Sequence, residues 1–398
     1  MERLHTSMRS VSPQDTLLHA KAWAAMARID AVSDITGLDV LGVPVFVSER
    51  HRSATDPYTY GKGRVPIESE VGAYMEAIET HFAEPSVGLV QTKWGTPFDL
   101  PDAGGCGDPV ADLAPKLGCV AAPDQNFLLA RAQDVESGTE VWLPAELVFH
   151  PAPDVGPSLF GASSNGLASG NSVLEASIHA LYELIERDIW SIEFVRGASV
   201  RVLGDSLPRE IAEIVARAAR NGLRLVIRHV PNDYAVPFFA AYLFDQNNAD
   251  CRFFNGGWGC HHDRRIALMR AVTEVAQSRL AFLHGGRKLE NASSDGADGV
   301  RQEIAKVCRK TPAIGFADIP EQAVAQPLDA QWNAAVSCLR RVIGRPIYRV
   351  VYTPANGPLH VVRLVVPLLE HFTRSTMRIG PRMQAELEYQ AGRVEEVA

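Results

Sequence analysis

The chain has 398 residues, 46% hydrophobic and 22% charged, with a formal net charge of −8. This balance is that of a soluble globular protein able to bury a large core, as one large domain or two to three ordinary ones. No basic tract stands out, no apolar run approaches the roughly 20 residues of a membrane span, and the N-terminus lacks the apolar core of a secretory signal. The expectation is therefore no nucleic-acid partner, no membrane and a cytoplasmic location.

In chain order, residues 15–29 read as a helix capped by Asp15 or Thr16. A turn and a strand follow over 36–49, and Tyr60-Gly-Lys-Gly-Arg reads as a tight glycine loop. Pro66 opens a helix, a favourable place for proline. Residues 94–125, rich in Gly, Pro and Asp, read as irregular, with strands at 126–132 and 140–149. A Gly/Ser/Asn loop over 161–170 then runs into a helix with apolar positions Ile178, Leu181, Leu184, Ile185 and Ile189.

A strand–helix–strand unit is expected over 200–228, a hairpin from Phe238-Phe-Ala-Ala-Tyr-Leu-Phe and Cys251-Arg-Phe-Phe, and a helix from Arg264 to Leu280. Residues 285–299 read as a mobile loop, followed by a helix near 328–342 and strands near 346–353 and 359–366. Mixed strands and helices with hairpins predict an α+β fold, with mixed or antiparallel sheets flanked by helices. No fixed-period repeat argues for a solenoid.

Three helices carry acidic groups in apolar surroundings. Glu76 and Glu79 stand at i,i+3, as do Glu183 and Glu186, with Glu175 upstream and Arg187 following. Arg270 and Glu274 stand at i,i+4 on the third helix. Residues three or four apart share a helix face, and like charges there repel, more so when partly buried. A shared polyanionic site needing cations follows as an expectation. Magnesium fits such oxygen donors, taking one or two carboxylates per ion and leaving positions for phosphate oxygens. Arg187, Arg270 or Lys62 could meet the phosphates. For a single pair, the solvated helix edge remains the ordinary fate of a glutamate.

No G-x-x-x-x-G-K-[ST] or G-x-G-x-x-G loop supplies a familiar phosphate cradle. A di-iron bundle would need Glu-x-x-His pairs, absent here. Paired glutamates on one helix face do not straddle a sugar as glycosidase carboxylates do. Cys106, Cys119, Cys251, Cys260, Cys308 and Cys338 form no Cys-x-x-Cys and fit reduced thiols. Adjacent Cys260, His261 and His262 cannot easily converge on one metal. His150, His179 and His229 are read as structural.

Thr36-Gly-Leu-Asp-x-x-Gly-Val-Pro-Val, Gly61-Lys-Gly, Met75-Glu-Ala-Ile-Glu, Ser164-Asn-Gly-Leu-Ala-Ser-Gly-Asn, Glu183-Leu-Ile-Glu-Arg-Asp and Arg270-Ala-Val-Thr-Glu-Val-Ala-Gln-Ser-Arg resemble, in order, the blocks of the YcaO family. The resemblance runs from about residue 25 to 380. It implies an enzyme that uses ATP and Mg2+ to phosphorylate a backbone amide oxygen, with the ATP site between the sheets. It places metal and nucleotide positions at Glu76, Glu79, Glu175, Glu183 and Glu186. Asn171, Arg187, Arg270 and Glu274 match polar nucleotide contacts, and Arg28 the N-terminal basic phosphate contact. Gly72 stands where the family usually has serine, and Thr80 where it usually has arginine.

The azoline-forming members commonly end in Pro-x-Pro-x-Pro, whereas this sequence ends Gln390-Ala-Gly-Arg-Val-Glu-Glu-Val-Ala. The stretch Val361-Val-Arg-Leu-Val-Val-Pro is similar to members associated with a TfuA-type partner, which install thioamides. Thioamide formation in a ribosomally made peptide or protein is the expected activity, with azoline or amidine formation as the alternative enzyme readings. A non-catalytic ATP-binding scaffold or a ribosomal-protein modification accessory is the alternative outside direct catalysis. The resemblance implies a TfuA-like or leader-binding partner, a peptide substrate and a homodimer. The expected division is a helical segment at 1–24, a catalytic domain at 25–380 and a tail at 381–398.

Overall fold

The computed structural model describes residues 2–102, 107–245, 254–285, 296–309, 312–322 and 327–397. The first strands are β1 Glu2–Arg3, β2 Met8–Arg9, β3 Ala31–Asp34, β4 Val45–Glu49, β5 Tyr58–Lys62 and β6 Thr92–Gly95. Next come β7 Phe127–Asp134, β8 Glu140–Pro144, β9 Leu167–Gly170, β10 Val200–Val202 and β11 Leu223–His229. The last are β12 Phe238–Asp245, β13 Asn255–Cys260, β14 Ala313–Ile314, β15 Tyr348–Val351 and β16 His360–Val365. The first helices are α1 Pro13–Trp23, α2 Pro66–Phe82, α3 Ala145–Val148, α4 Val173–Arg196 and α5 Arg209–Arg220. They are followed by α6 Arg264–Leu283, α7 Gly296–Cys308, α8 Leu328–Val342 and α9 Pro381–Val397. The fold is the mixed α+β class that the sequence predicts.

The chain divides into two compact units, Met1–Ala77 with Ala198–Val324, and Ile78–Gly197 with Ala325–Ala398. In the first unit, β3, β4 and β5 form an antiparallel sheet. A five-stranded sheet runs β13-β12-β11-β10-β14, antiparallel apart from the parallel β10–β14 pair. Helix α6 packs on β12 and β13 through Ala267, Ala271, Val272 and Val275, and it meets β4 and β5 through Leu280 and Ala281. Covered by two sheets, α6 is buried along most of its length, from Ile266 to Ala281, with a polar row of its own. The approach to β13 is so close that a Cβ at Gly257 would lie 2.3 Å from Val275 N, and one at Gly259 would lie 2.0 Å from Ala267 O.

In the second unit, a sheet ordered β6-β7-β15-β16-β9, with β8 also paired to β7, carries α4 against β9 and β16. Ser172 caps α4, its Oγ accepting from Glu175 N at 3.1 Å, and Gly197 ends it in the left-handed conformation at φ 61°.

Several local expectations are corrected. The first helix runs only from Pro13 to Trp23 and is capped by Ser12, whose Oγ accepts from Asp15 N, with Pro13 in the first turn. Tyr60-Gly-Lys is not a loop: β5 extends through Lys62, and Gly61 leaves the space that the backbone of α2 takes up. The end of the 140–149 strand is the short helix α3, and the 161–170 loop contains β9. Of the loop expected at 285–299, residues 286–295 lie outside the described residues, and the helix α7 already begins at Gly296. Cys251 of the expected hairpin also lies outside them.

Residues 381–397 form the helix α9. Glu370, fully buried, accepts from Gly380 N at 2.6 Å and from Arg382 N and Met383 N at 2.9 Å each, so it satisfies the start of α9 from outside the helix. Burial pushes its carboxyl pKa up. Glu370→Ala leaves three N–H groups without that acceptor and is expected to cost about 3 kcal/mol, read as a lower urea midpoint.

Candidate nucleotide and metal site

The expected site residues fall on both units. Glu76 lies in the first, with Arg28, Lys62, Gly72, Arg270 and Glu274; Glu79 lies in the second, with Asn171, Glu175, Glu183, Glu186 and Arg187.

In the first unit, β5 runs beside the polar row of α6. Lys62 Nζ is ion-paired with Glu274 Oε2, and Gln277 Nε2 donates to Tyr60 O. Arg270 stands one turn before Glu274 on the same helix. Both members of the Lys62–Glu274 pair are mostly covered, 19% and 13% exposed, so desolvation strengthens their attraction. Lys62→Met removes that cation and is expected to lower stability by roughly 2 kcal/mol, measured by urea unfolding, with Lys62→Arg retaining most of it. Across from β5, Gly72 on α2 faces Gly61, and a Cβ at Gly72 would lie 3.1 Å from Gly61 Cα. Gly72 is thus a packing position, with no room for a larger side chain unless β5 gives. Arg28 is exposed, in the left-handed conformation at φ 55° after α1.

In the second unit, Ser169 Oγ of β9 donates to Glu79 Oε1 at 2.6 Å. Glu175 Oε1 accepts from both Asn171 N and Asn171 Nδ2 at 3.1 Å. Glu175 therefore also closes the turn leading into α4, which fixes its carboxylate. Gly170 permits the tight junction, since a Cβ there would lie 2.8 Å from Ala176 N. Glu186 is 2% exposed, while Glu183 and Arg187 are half-buried on the same stretch of α4. Buried carboxylates of this kind call for compensating positive charge.

The donor set suits Mg2+ with a nucleotide. Among the described residues no group of three or more His, Cys, Asp or Glu forms a metal cage by itself. Mg2+ does not require one, since it is held by one or two carboxylates together with phosphate oxygens.

Sequence reading missed a buried basic group in the second unit. Arg363 of β16 is 2% exposed, donating from Nε to Leu147 O at 2.8 Å and from Nη2 to Ser163 O. The signal was present: an arginine inside the apolar run Val361-Val-Arg-Leu-Val-Val is buried only when partnered. Two of the histidines, His150 and His229, are shifted toward the neutral form. Burial, and then the nearby Arg363, push His150 down to about 4; burial likewise lowers His229, whose Nδ1 lies 3.0 Å from Phe238 O.

Mixed sheets backed by helices that carry half- and fully buried carboxylates make this an α+β protein whose residues suit magnesium with a nucleotide. The family model described as YcaO cyclodehydratase, ATP- and Mg2+-binding, matches residues 60–370. The chain is 31% identical, over 91% of its length and 88% of the other's, to a Rhizobium leguminosarum bv. trifolii protein described as lying in the tfuA 3′ region. It shares the fold of YcaO from Methanopyrus kandleri bound with AMPPCP and Mg2+, with TM-score 0.77 and 21% identity over 94% of this chain and 96% of that one. It also shares the fold of a heterocyclase in complex with substrate and cofactor, with TM-score 0.76 and 19% identity; the match covers 98% of this chain and 57% of the heterocyclase. The chain belongs to the YcaO family, and its cofactors are ATP and Mg2+. No described helix is long and apolar enough to cross a membrane.

Proposed function

We propose that the chain activates a peptide backbone amide with ATP and directs sulfide to it, forming a thioamide. The likeness to a protein from the tfuA 3′ region carries this reading over the other reactions of the family. An amide oxygen is a poor leaving group. Transfer of a phosphoryl group to it, followed by sulfur addition to the carbon, lets that oxygen depart as phosphate. Mg2+-bound ATP supplies the phosphoryl group and neutralises charge that develops on it.

The chain's own part is to hold and orient. Glu76, Glu79, Glu175, Glu183 and Glu186 would hold Mg2+, with Asn171, Arg187, Arg270 and Glu274 as polar contacts to the nucleotide. Arg28 is the further candidate for a phosphate. Gly72 belongs to the nucleotide side only through the backbone, because it has no side-chain donor. The hydrogen bonds of Ser169 to Glu79 and of Asn171 to Glu175 pin two of these carboxylates, which lowers the reorganisation that metal binding demands.

The partner in this reading is a TfuA-like protein and the substrate a peptide or protein. The test combines the chain, such a partner, candidate peptide, sulfide and Mg2+-ATP, and follows peptide mass together with phosphate release. Exchange of oxygen for sulfur with ATP turnover supports the proposal. The description of the family model as a cyclodehydratase favours azoline formation as the second reading, which instead appears as loss of water. Unchanged peptide without ATP turnover, under conditions where the peptide binds, would point to a scaffold.

A further inference from the structure

The second unit contains a cavity of ≈ 20 Å3 beneath α4, beside β16, that the proposed reaction does not use. Arg363, Arg378, Glu146, Asn165, His371 and Leu184 are among the residues lining it. Its size is enough for one or two water-sized species.

Two buried polar atoms there have no partner: Arg363 Nη1, a donor, and Asn165 Oδ1, an acceptor. The rest of the lining is satisfied. Arg378 donates from Nε to Ala114 O at 2.8 Å and from Nη2 to Leu113 O at 2.7 Å. Glu146 accepts from Leu159 N, Phe160 N and Gly161 N at 2.6, 2.9 and 3.3 Å. Asn165 Nδ2 is hydrogen-bonded to His371 Nδ1. A buried guanidinium N–H left without an acceptor is costly, so its persistence asks for an occupant.

Charge selects the occupant. Two guanidinium groups and one carboxylate line the cavity, so the lining itself carries a net positive charge. Burial, and then Arg378, Arg363 and Arg187, hold His371 well below its ordinary value, so the imidazole is neutral and adds nothing to that sum. Burial and the neighbouring Arg363 push Arg378 down to about 9, where it is still charged at neutral pH. Outside the lining, Glu183 acts on Arg363, Glu370 on Arg378 and Arg187 on His371.

We propose that this cavity is a binding site for one small monovalent anion, of the halide or hydrosulfide class, held by Arg363 Nη1. Hydrosulfide suits both unpartnered atoms, its charge accepting from Arg363 and its S–H turned to Asn165 Oδ1; a halide satisfies the arginine alone. The proposal rests on the cavity and not on the reaction, so failure of thioamide formation leaves it standing.

Bromide is the probe. Crystals grown in bromide should give an anomalous scattering peak within hydrogen-bonding distance of Arg363 Nη1. In solution, bromide should raise Tm more than gluconate at equal ionic strength. Arg363→Lys should weaken bromide at least about tenfold. Displacement by hydrosulfide at lower concentration than by chloride identifies hydrosulfide as the source, and the reverse order identifies a halide. Water alone beside Arg363 in saturating bromide, with Tm equal in bromide and gluconate, overturns the proposal. The wild-type measurements decide the matter even where a variant does not fold.

Discussion

Exchanging Glu183 and Glu186 together for glutamine is expected to weaken Mg2+-dependent ATP binding by at least about a hundredfold, since each charge-assisted contact is worth roughly 1.5–3 kcal/mol. Glutamine keeps the shape of the side chain and removes the charge proposed to hold the metal. Both residues lie within α4, which spans Val173–Arg196, so the substitutions alter no cap. The expected result of a calorimetric titration is loss of the Mg2+-ATP heat in a variant that still melts cooperatively. Equal heats in wild type and double variant would remove Glu183 and Glu186 from the site, and a collapsed Tm would place their role in folding. Single substitutions should lose less than the pair, because one carboxylate together with phosphate oxygens can still hold the ion.

The second large effect is structural. A Cβ at Gly61 would lie 2.0 Å from Ser69 O and 2.1 Å from Ala73 N, both backbone atoms of α2. Neither can swing aside as a side chain would, so β5 must separate from α2. Gly61→Ala is expected to cost about 4 kcal/mol or more, at the top of the range for single substitutions. Strand separation also withdraws Lys62, the next residue, from Glu274. Gly37→Ala is the control, since nothing lies within 4 Å of a Cβ there, and its effect should stay within about 1 kcal/mol. Comparable urea midpoints for the two variants would show that β5 is not pressed on α2 in this way.

The acidic helices were legible because their information is local. Glu76 and Glu79, like Glu183 and Glu186, share a face at any i,i+3 spacing, and Pro66 opens α2 where proline is tolerated. The resemblance in the Gly61-Lys-Gly and Glu183-Leu-Ile-Glu-Arg-Asp blocks pointed to the family that the model match then gave. Gly61 was misread for the opposite reason. Glycine beside lysine and a second glycine signals a turn locally, whereas here its missing side chain serves a strand lying against a helix.

The residues of this chain by themselves determine which helices form, where the carboxylates sit along them, and the absence of familiar glycine phosphate loops. These follow from side-chain periodicity, proline placement and short spacings. Only the tertiary structure decides that Lys62 faces Glu274, that Glu79 is gripped by Ser169, and that Glu370 caps a helix it does not belong to. Only it, too, leaves Arg363 Nη1 and Asn165 Oδ1 facing one small cavity. These pairings join residues from about ten to more than two hundred positions apart. What brings them together is the burial of apolar strands and helices against each other, which fixes each partner's position but leaves no local pattern in the sequence.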